Sequence, residues 1–158
     1  MINKRKLEER QERRMRILKG ALSVFRNVGM EKTTMDEIAS SSGFGKATLY
    51  YYFSSKDDVF INIMEKGWKQ LWEGIESLIV EEVNPRTKFI GIIRKMGEIV
   101  TNDKILYGFL FTAPNFIQDT EKQSWKTYQE RLYAILQSII EEGIKKKEFV
   151  NLNPGLLM

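Results

Sequence analysis

The residues best placed to do chemistry in this chain would do it without breaking bonds. Residues 45–53, GKATLYYYF, set a lysine, a threonine and three tyrosines around one leucine. Read as a short helix, they put Leu49 and Phe53 four apart on one face, toward a core. Lys46, Ala47, Thr48, Tyr50 and Tyr51 are left on the other faces. Lysine donates to guanine edges and an alanine methyl meets the methyl of thymine, so such a face suits the major groove of double-stranded DNA. The candidates for base contact are Lys46, Ala47 and Tyr50, with Gly45 allowing close approach of the backbone. The candidates for phosphate contact are Thr34, Thr48, Tyr51, Tyr52 and Lys56, together with backbone N–H groups at two short helix N-termini. Lys56 stands at a helix start, where a base opposes the helix dipole, and a phosphate partner accounts for it better than solvent does. The plainer reading of residues 50–52 is packing of a tyrosine-rich helix end, and one of the three is expected to do only that.

Other chemistry is largely closed off. The chain has 158 residues and neither Cys nor His. Without them there is no disulfide, no thiolate nucleophile, no imidazole base and no ordinary transition-metal site. No carboxylate pair and no Gly-rich phosphate loop stands out, so the chain does not read as an enzyme, and no cofactor or metal is expected. The net charge of +4 is uneven. Residues 1–60 hold 12 Lys/Arg against 8 Asp/Glu, and the remainder hold 13 of each. That asymmetry points to a polyanion partner for the N-terminal third. The opening MINKRKLEERQERR has no apolar core of a secretory signal, and no run approaches the ~18 apolar residues of a membrane span. A cytoplasmic protein with no membrane partner is expected.

Upstream of the candidate residues, Thr34 is a good N-cap and Glu37 completes a capping box. Ile38 and Ala39 form the apolar side of that first short helix, Gly43 stops it in the left-handed conformation, and Phe44 anchors the turn. A longer helix precedes it, carrying an apolar stripe of Met15, Leu18, Ala21, Leu22, Phe25 and Val28 up to Gly29. Lys4, Arg5, Lys6, Arg10, Arg13 and Arg14 lie at its head among Glu8, Glu9 and Glu12, with some of the bases able to approach phosphate. Ile17, Leu18, Leu22, Phe25, Ile38, Leu49 and Phe53 are the expected core of a three-helix head.

The stretch TTMDEIASSSGFGKATLYYYFSSKDDVF resembles the N-terminal signature of the TetR/AcrR transcriptional regulators, with Thr34, Ile38, Ala39, Gly43, Lys46, Thr48, Leu49, Tyr50, Phe53 and Lys56 matching in order and spacing. The resemblance is sharp over residues 13–64. It implies a helix-turn-helix head that binds an operator, an inverted repeat, as one half of a homodimer, and a body that takes a small-molecule effector.

The remainder reads as helices. Ser55 caps a long one, with Asp57 and Asp58 in its first turn, that runs to about residue 82 and links head to body. Asn84-Pro85 opens the next, with Phe89, Ile92, Ile93, Met96, Ile99 and Val100 inward, and Asn102-Asp103 breaks it. Residues 105–112, ILYGFLFT, would also fit a buried strand, but no partner strand is visible, so a helix is expected. Residues 124–147 form the last amphipathic helix. Trp68, Trp72, Phe89, Met96, Tyr107, Phe111, Trp125 and Tyr128 are candidates to line a cavity for a small hydrophobic or aromatic effector, against the plainer reading of core packing. At NLNPGLLM a helix start is followed by only four residues. The resemblance implies two further helices there that form the dimer interface, so the chain reads as cut short. The expected fold is all-α: residues 1–54 a helix-turn-helix DNA-binding domain, residues 55–158 a helical regulatory domain. The expected function is a one-component regulator, a repressor released by its effector. The alternative is a DNA-coating nucleoid protein of the same fold that works through a protein partner.

Overall fold

The computed structural model describes residues 4–113 and 124–150. Among them are seven α-helices: α1 (Lys4–Val28), α2 (Met35–Ser42), α3 (Lys46–Tyr52), α4 (Lys56–Ile79), α5 (Pro85–Asn102), α6 (Lys104–Thr112) and α7 (Ser124–Lys145). The fold is all-α, a helix-turn-helix head with a helical body. The helices divide between two compact units, residues 4–64 with 108–113 and residues 65–107 with 124–150, so α4 and α6 each contribute to both.

In the first unit the expected core forms. Ile17, Leu18, Leu22, Phe25, Ile38, Leu49 and Phe53 are all buried, joined by Val59, Phe60, Ile63 and Met64 from the start of α4. The rings of Phe25, Phe60 and Phe109 make a three-way cluster, Phe25 stacked on Phe109 at 6.0 Å and Phe60 edge-on to both. Helices α1 and α2 cross closely because position 20 has no side chain. A Cβ on Gly20 would lie 2.9 Å from both the Cα and the N of Ser42. The stripe expected on α1 is slightly off at both ends, where Met15 and Val28 are exposed, while Ile17, expected in the core but not on the stripe, is fully buried. The inward face is centred on the line through Ile17, Ala21 and Phe25 rather than on one through Met15 and Leu18.

In the second unit α4 buries Trp68, Leu71 and Ile75, α5 buries Ile92, α6 buries Leu106 and Tyr107, and α7 buries Trp125, Leu132, Ile139 and Ile140. The start of α5 is doubly capped. The Asn84 side chain accepts from the Thr87 N–H at 2.8 Å, and the Glu148 carboxylate accepts from the Arg86 N–H at 2.9 Å. Asp103, where α5 breaks, caps α6 by accepting from the Leu106 N–H. The ring of Phe149 fills the space beside Gly143 and meets Phe89 edge-on. Residues 105–112 are helical, as expected. Ile93, expected inward, is 45% exposed, because Ile92 one position before it takes the buried line of α5.

Candidate nucleic-acid interface

The helix-turn-helix is built from its caps. The Thr34 side chain accepts from the Glu37 N–H at 3.2 Å while the Glu37 carboxylate accepts from the Thr34 N–H at 2.8 Å, a complete capping box. Gly43 sits at φ +73°, a conformation that side chains resist, and its N–H and that of Phe44 close the last turn of α2. Gly45 then caps α3 with extended backbone and no side chain in the way. Leu49 is fully buried and Phe53 nearly so, and together they anchor α3 to the core.

Around that anchor Gly45, Lys46, Ala47 and Tyr50 are exposed, Tyr51 more so, and Thr48 and Tyr52 are half-buried. Lys46 reaches back to the carboxylate of Asp36 on α2 at 2.9 Å, which raises its pKa. The pair is solvent-exposed on both sides, so Lys46 can exchange it for another acceptor at little cost. Tyr51 and Tyr52 meet edge-on at 5.1 Å, and the Arg10 guanidinium lies 5.6 Å from the Tyr51 ring centre. Thr34 is exposed, but its hydroxyl donates to Glu37, so any phosphate must replace that acceptor.

Lys56 closes a loop. Its ammonium donates to the carbonyl oxygens of Met30, Glu31 and Thr33, at 3.0, 2.8 and 3.2 Å. Three donors meeting three carbonyls account for the base at the helix start by the loop it closes, and a phosphate must replace one of those acceptors. Two arginines of α1 belong to the motif without any local signal of it in residues 34–56. Arg14 lies over the ring of Phe53 and bonds the Asn62 side chain, while Arg16 lies over Phe44 at 4.7 Å and donates to the Ser42 carbonyl at 3.2 Å. Their signal was spacing: Arg14 stands four residues before Leu18, one turn upstream on the inward side of α1.

The aromatic candidates of the body differ in burial. Trp68, Tyr107 and Trp125 are buried, Trp72, Phe89, Met96 and Tyr128 half-buried, and Phe111 is 54% exposed and belongs to the first unit. Trp68 packs edge-on to Tyr133, and Arg131 lies over Trp72. The Tyr107 hydroxyl donates to the Gly67 carbonyl at 3.3 Å, and burial pushes its pKa up to about 12. Among the described residues no helix is long and apolar enough to cross a membrane, and no group of three or more carboxylates could hold a metal ion.

Residues 17–63 match the family described as bacterial regulatory proteins, tetR family. The chain is 36% identical to the HTH-type transcriptional regulator AcrR of Shigella flexneri, over 96% of this chain and 75% of that protein. A putative fatty acid metabolism regulator of Clostridium perfringens has a similar structure, with a TM-score of 0.76 and 25% identity over 90% of this chain and 77% of that one. AibR, in complex with isovaleryl coenzyme A and operator DNA, shares the fold at a TM-score of 0.78 and 19% identity, over 91% and 78% of the two chains. These coverages lend no support to the expectation of missing C-terminal helices, and residues 151–158, on which it turned, lie outside the described residues. With a capped helix-turn-helix in place and a regulator of this similarity matched over three quarters of its length, the chain belongs to the TetR/AcrR family of DNA-binding transcriptional regulators, which are not enzymes.

Proposed function

We propose that this regulator is a cytoplasmic repressor that binds an inverted-repeat operator as a homodimer and leaves it when a small hydrophobic or aromatic effector binds the body. Residues 1–54 are the DNA-binding part and residues 55–158 the regulatory part. The observation that carries the reading is the outward face of α3, where Gly45, Lys46, Ala47 and Tyr50 are exposed around a buried Leu49. Lys46 and Tyr50 donate to base edges, Ala47 meets a thymine methyl, and Gly45 lets the backbone come close. Thr34, Thr48, Tyr51 and Tyr52 hold the phosphates on either side. In the body, Trp68, Trp72, Phe89, Met96, Tyr107, Trp125 and Tyr128 supply apolar surface for the effector. An effector that prefers one arrangement of α4 changes the spacing of the two heads, and half-sites one helical turn apart, ~34–36 Å, tolerate little change.

Selection of bound duplexes from a random pool tests the reading. Recovery of an inverted repeat supports it, and recovery without sequence preference overturns it in favour of a DNA-coating protein. Tyr50→Ala is expected to lose discrimination between the selected site and its base-substituted versions more than it loses general affinity. For the effector, the similarity to the Clostridium perfringens fatty acid metabolism regulator and to AibR with isovaleryl coenzyme A makes fatty acids and short acyl-CoA thioesters the first probes. Release of the selected duplex by one of them supports the reading. Retention with every acyl and aromatic probe overturns the effector half of it.

A further inference from the structure

The charge of this chain does not lie on its helix-turn-helix. Residues 17–63, the part that matches the family, hold five Lys/Arg against five Asp/Glu and are neutral. Residues 64–158 hold 13 of each and are neutral too. The whole net charge of +4 sits on residues 4–16, with seven Lys/Arg against three Glu. The core hardly uses these residues: burial in α1 begins at Ile17, and of residues 4–16 all are exposed except the half-buried Arg14. Arg14 and Arg16 pack on the helix-turn-helix, but the exposed cations upstream of them gain little from packing on their own protein, so their presence needs another reason.

The geometry supplies one. Lys6, Arg10 and Arg13 follow one another at four and three residues, on one side of α1. With Leu7, Glu9, Tyr51 and Tyr52 they line an open groove of about 440 Å³ between the first turns of α1 and the end of α3. Lys6 and Arg13 make no ion pair or hydrogen bond with other described side chains, and Arg10 is held only against the Tyr51 ring. The one carboxylate in the groove, Glu9, is taken by Arg5 at 3.1 Å. The groove therefore offers three cations and two tyrosines, on the side of the proposed base-reading helix. That is the donor set of a phosphate backbone contact, and each cation that neutralises a phosphate releases a counterion.

We propose that Lys6, Arg10 and Arg13, with the hydroxyls of Tyr51 and Tyr52, form a second DNA contact, a clamp on the phosphate backbone flanking the bases that α3 reads. The clamp lies on residues outside the shared family segment except for the two tyrosines, and it supplies most of the salt-dependent affinity that a neutral helix-turn-helix cannot. The inference rests on the DNA-binding reading above.

The test is binding of the full chain to a mixed-sequence duplex of about thirty base pairs, measured across a series of salt concentrations. Replacing Lys6, Arg10 and Arg13 together by Gln is expected to reduce the slope of log K against log salt by about 2.7, three contacts at ~0.9 each, and to weaken binding about a hundredfold or more at ~0.1 M salt. Lys46→Gln should reduce the slope by no more than about 0.9. Far-UV circular dichroism checks that the triple variant keeps its helices. Glu9→Gln, in the same groove, should move the other way and tighten binding, which a folding defect would not do. A triple variant that is folded and keeps the wild-type slope overturns the clamp while leaving the DNA-binding reading intact. So does a triple variant whose only loss is binding to vesicles of anionic phospholipid. A wild-type chain that binds no duplex even at the lowest salt overturns the DNA-binding reading itself.

Discussion

At the scale of single residues, two side chains take roles that their neighbours decide. The Lys56 ammonium closes the link between α1 and α2 by donating to three carbonyl oxygens, two of them in partly buried contacts. Hydrogen bonds from a charged donor are worth about 1.5–3 kcal/mol each in favourable cases, and carbonyls left without a donor add a desolvation cost. Lys56→Met is therefore expected to lower unfolding stability by about 2 kcal/mol in urea melts, with no change in the salt slope of DNA binding. A lost slope with unchanged stability would return Lys56 to the phosphate contacts. Tyr107 is the second case. Its ring is fully buried, and burial, with a smaller contribution from Asp103, raises the pKa from 10.0 to about 12. Between those values the folded chain keeps a proton that the unfolded chain has released, so stability falls as pH rises from about 10 toward 12. A shift of about two pKa units corresponds to about 2–3 kcal/mol over that range. Tyr107→Phe should be less sensitive to pH there, although it also gives up the bond to the Gly67 carbonyl. Urea melts of both proteins at several alkaline pH values give the comparison; parallel losses would mean that Tyr107 does not set the alkaline limit.

Between elements, the closest fit is the crossing of α1 and α2. Gly20 faces the backbone of Ser42, and the Ser41 hydroxyl donates to the Gly20 carbonyl at 3.1 Å. Gly20→Ala gains about 1 kcal/mol of helix propensity, but its methyl meets main chain, which cannot rotate away. Overpacking of this kind costs about 1–3 kcal/mol, so a net loss of stability is expected by thermal or urea unfolding. A stabilised variant would mean that α2 moves off α1 without penalty. This contact was not legible in the sequence, where Gly20 reads as an interruption in a good helix. The local signals were legible because they are carried by neighbours in the chain. Thr34 with Glu37, Gly43, Ser55 before Asp58, and Asn84-Pro85 each set a helix end by bonds that span a few residues. The face of α1 was harder, since Met15 and Ile17 are two positions apart and only the second is buried. Lys56 was illegible for a stronger reason: its acceptors lie 23 to 26 residues away, and nothing at positions 30–33 marks free carbonyls. For the body candidates residue type is the only signal, and burial does not follow it: Trp68 is buried while Phe111 is exposed.

For the whole molecule, the distribution of aromatic residues provides a way to follow one unit at a time. The three tryptophans, Trp68, Trp72 and Trp125, all belong to the second unit, while Tyr50, Tyr51 and Tyr52 belong to the first. Tryptophan emission therefore reports on the body, and retardation or anisotropy of a labelled duplex reports on the head. A repressor released by its effector must couple the two, and coupling between binding free energies is reciprocal. If an acyl compound raises the Kd for the selected duplex by a given factor, the duplex must raise the Kd for that compound by the same factor. Titrating the compound by tryptophan emission, with and without saturating duplex, measures the second factor independently of the first. Equal factors, on the order of 5–150, are expected for coupling of about 1–3 kcal/mol. Equal affinities with and without the duplex would mean that the compound occupies the body without working the head, because a ligand that binds two states equally well shifts neither.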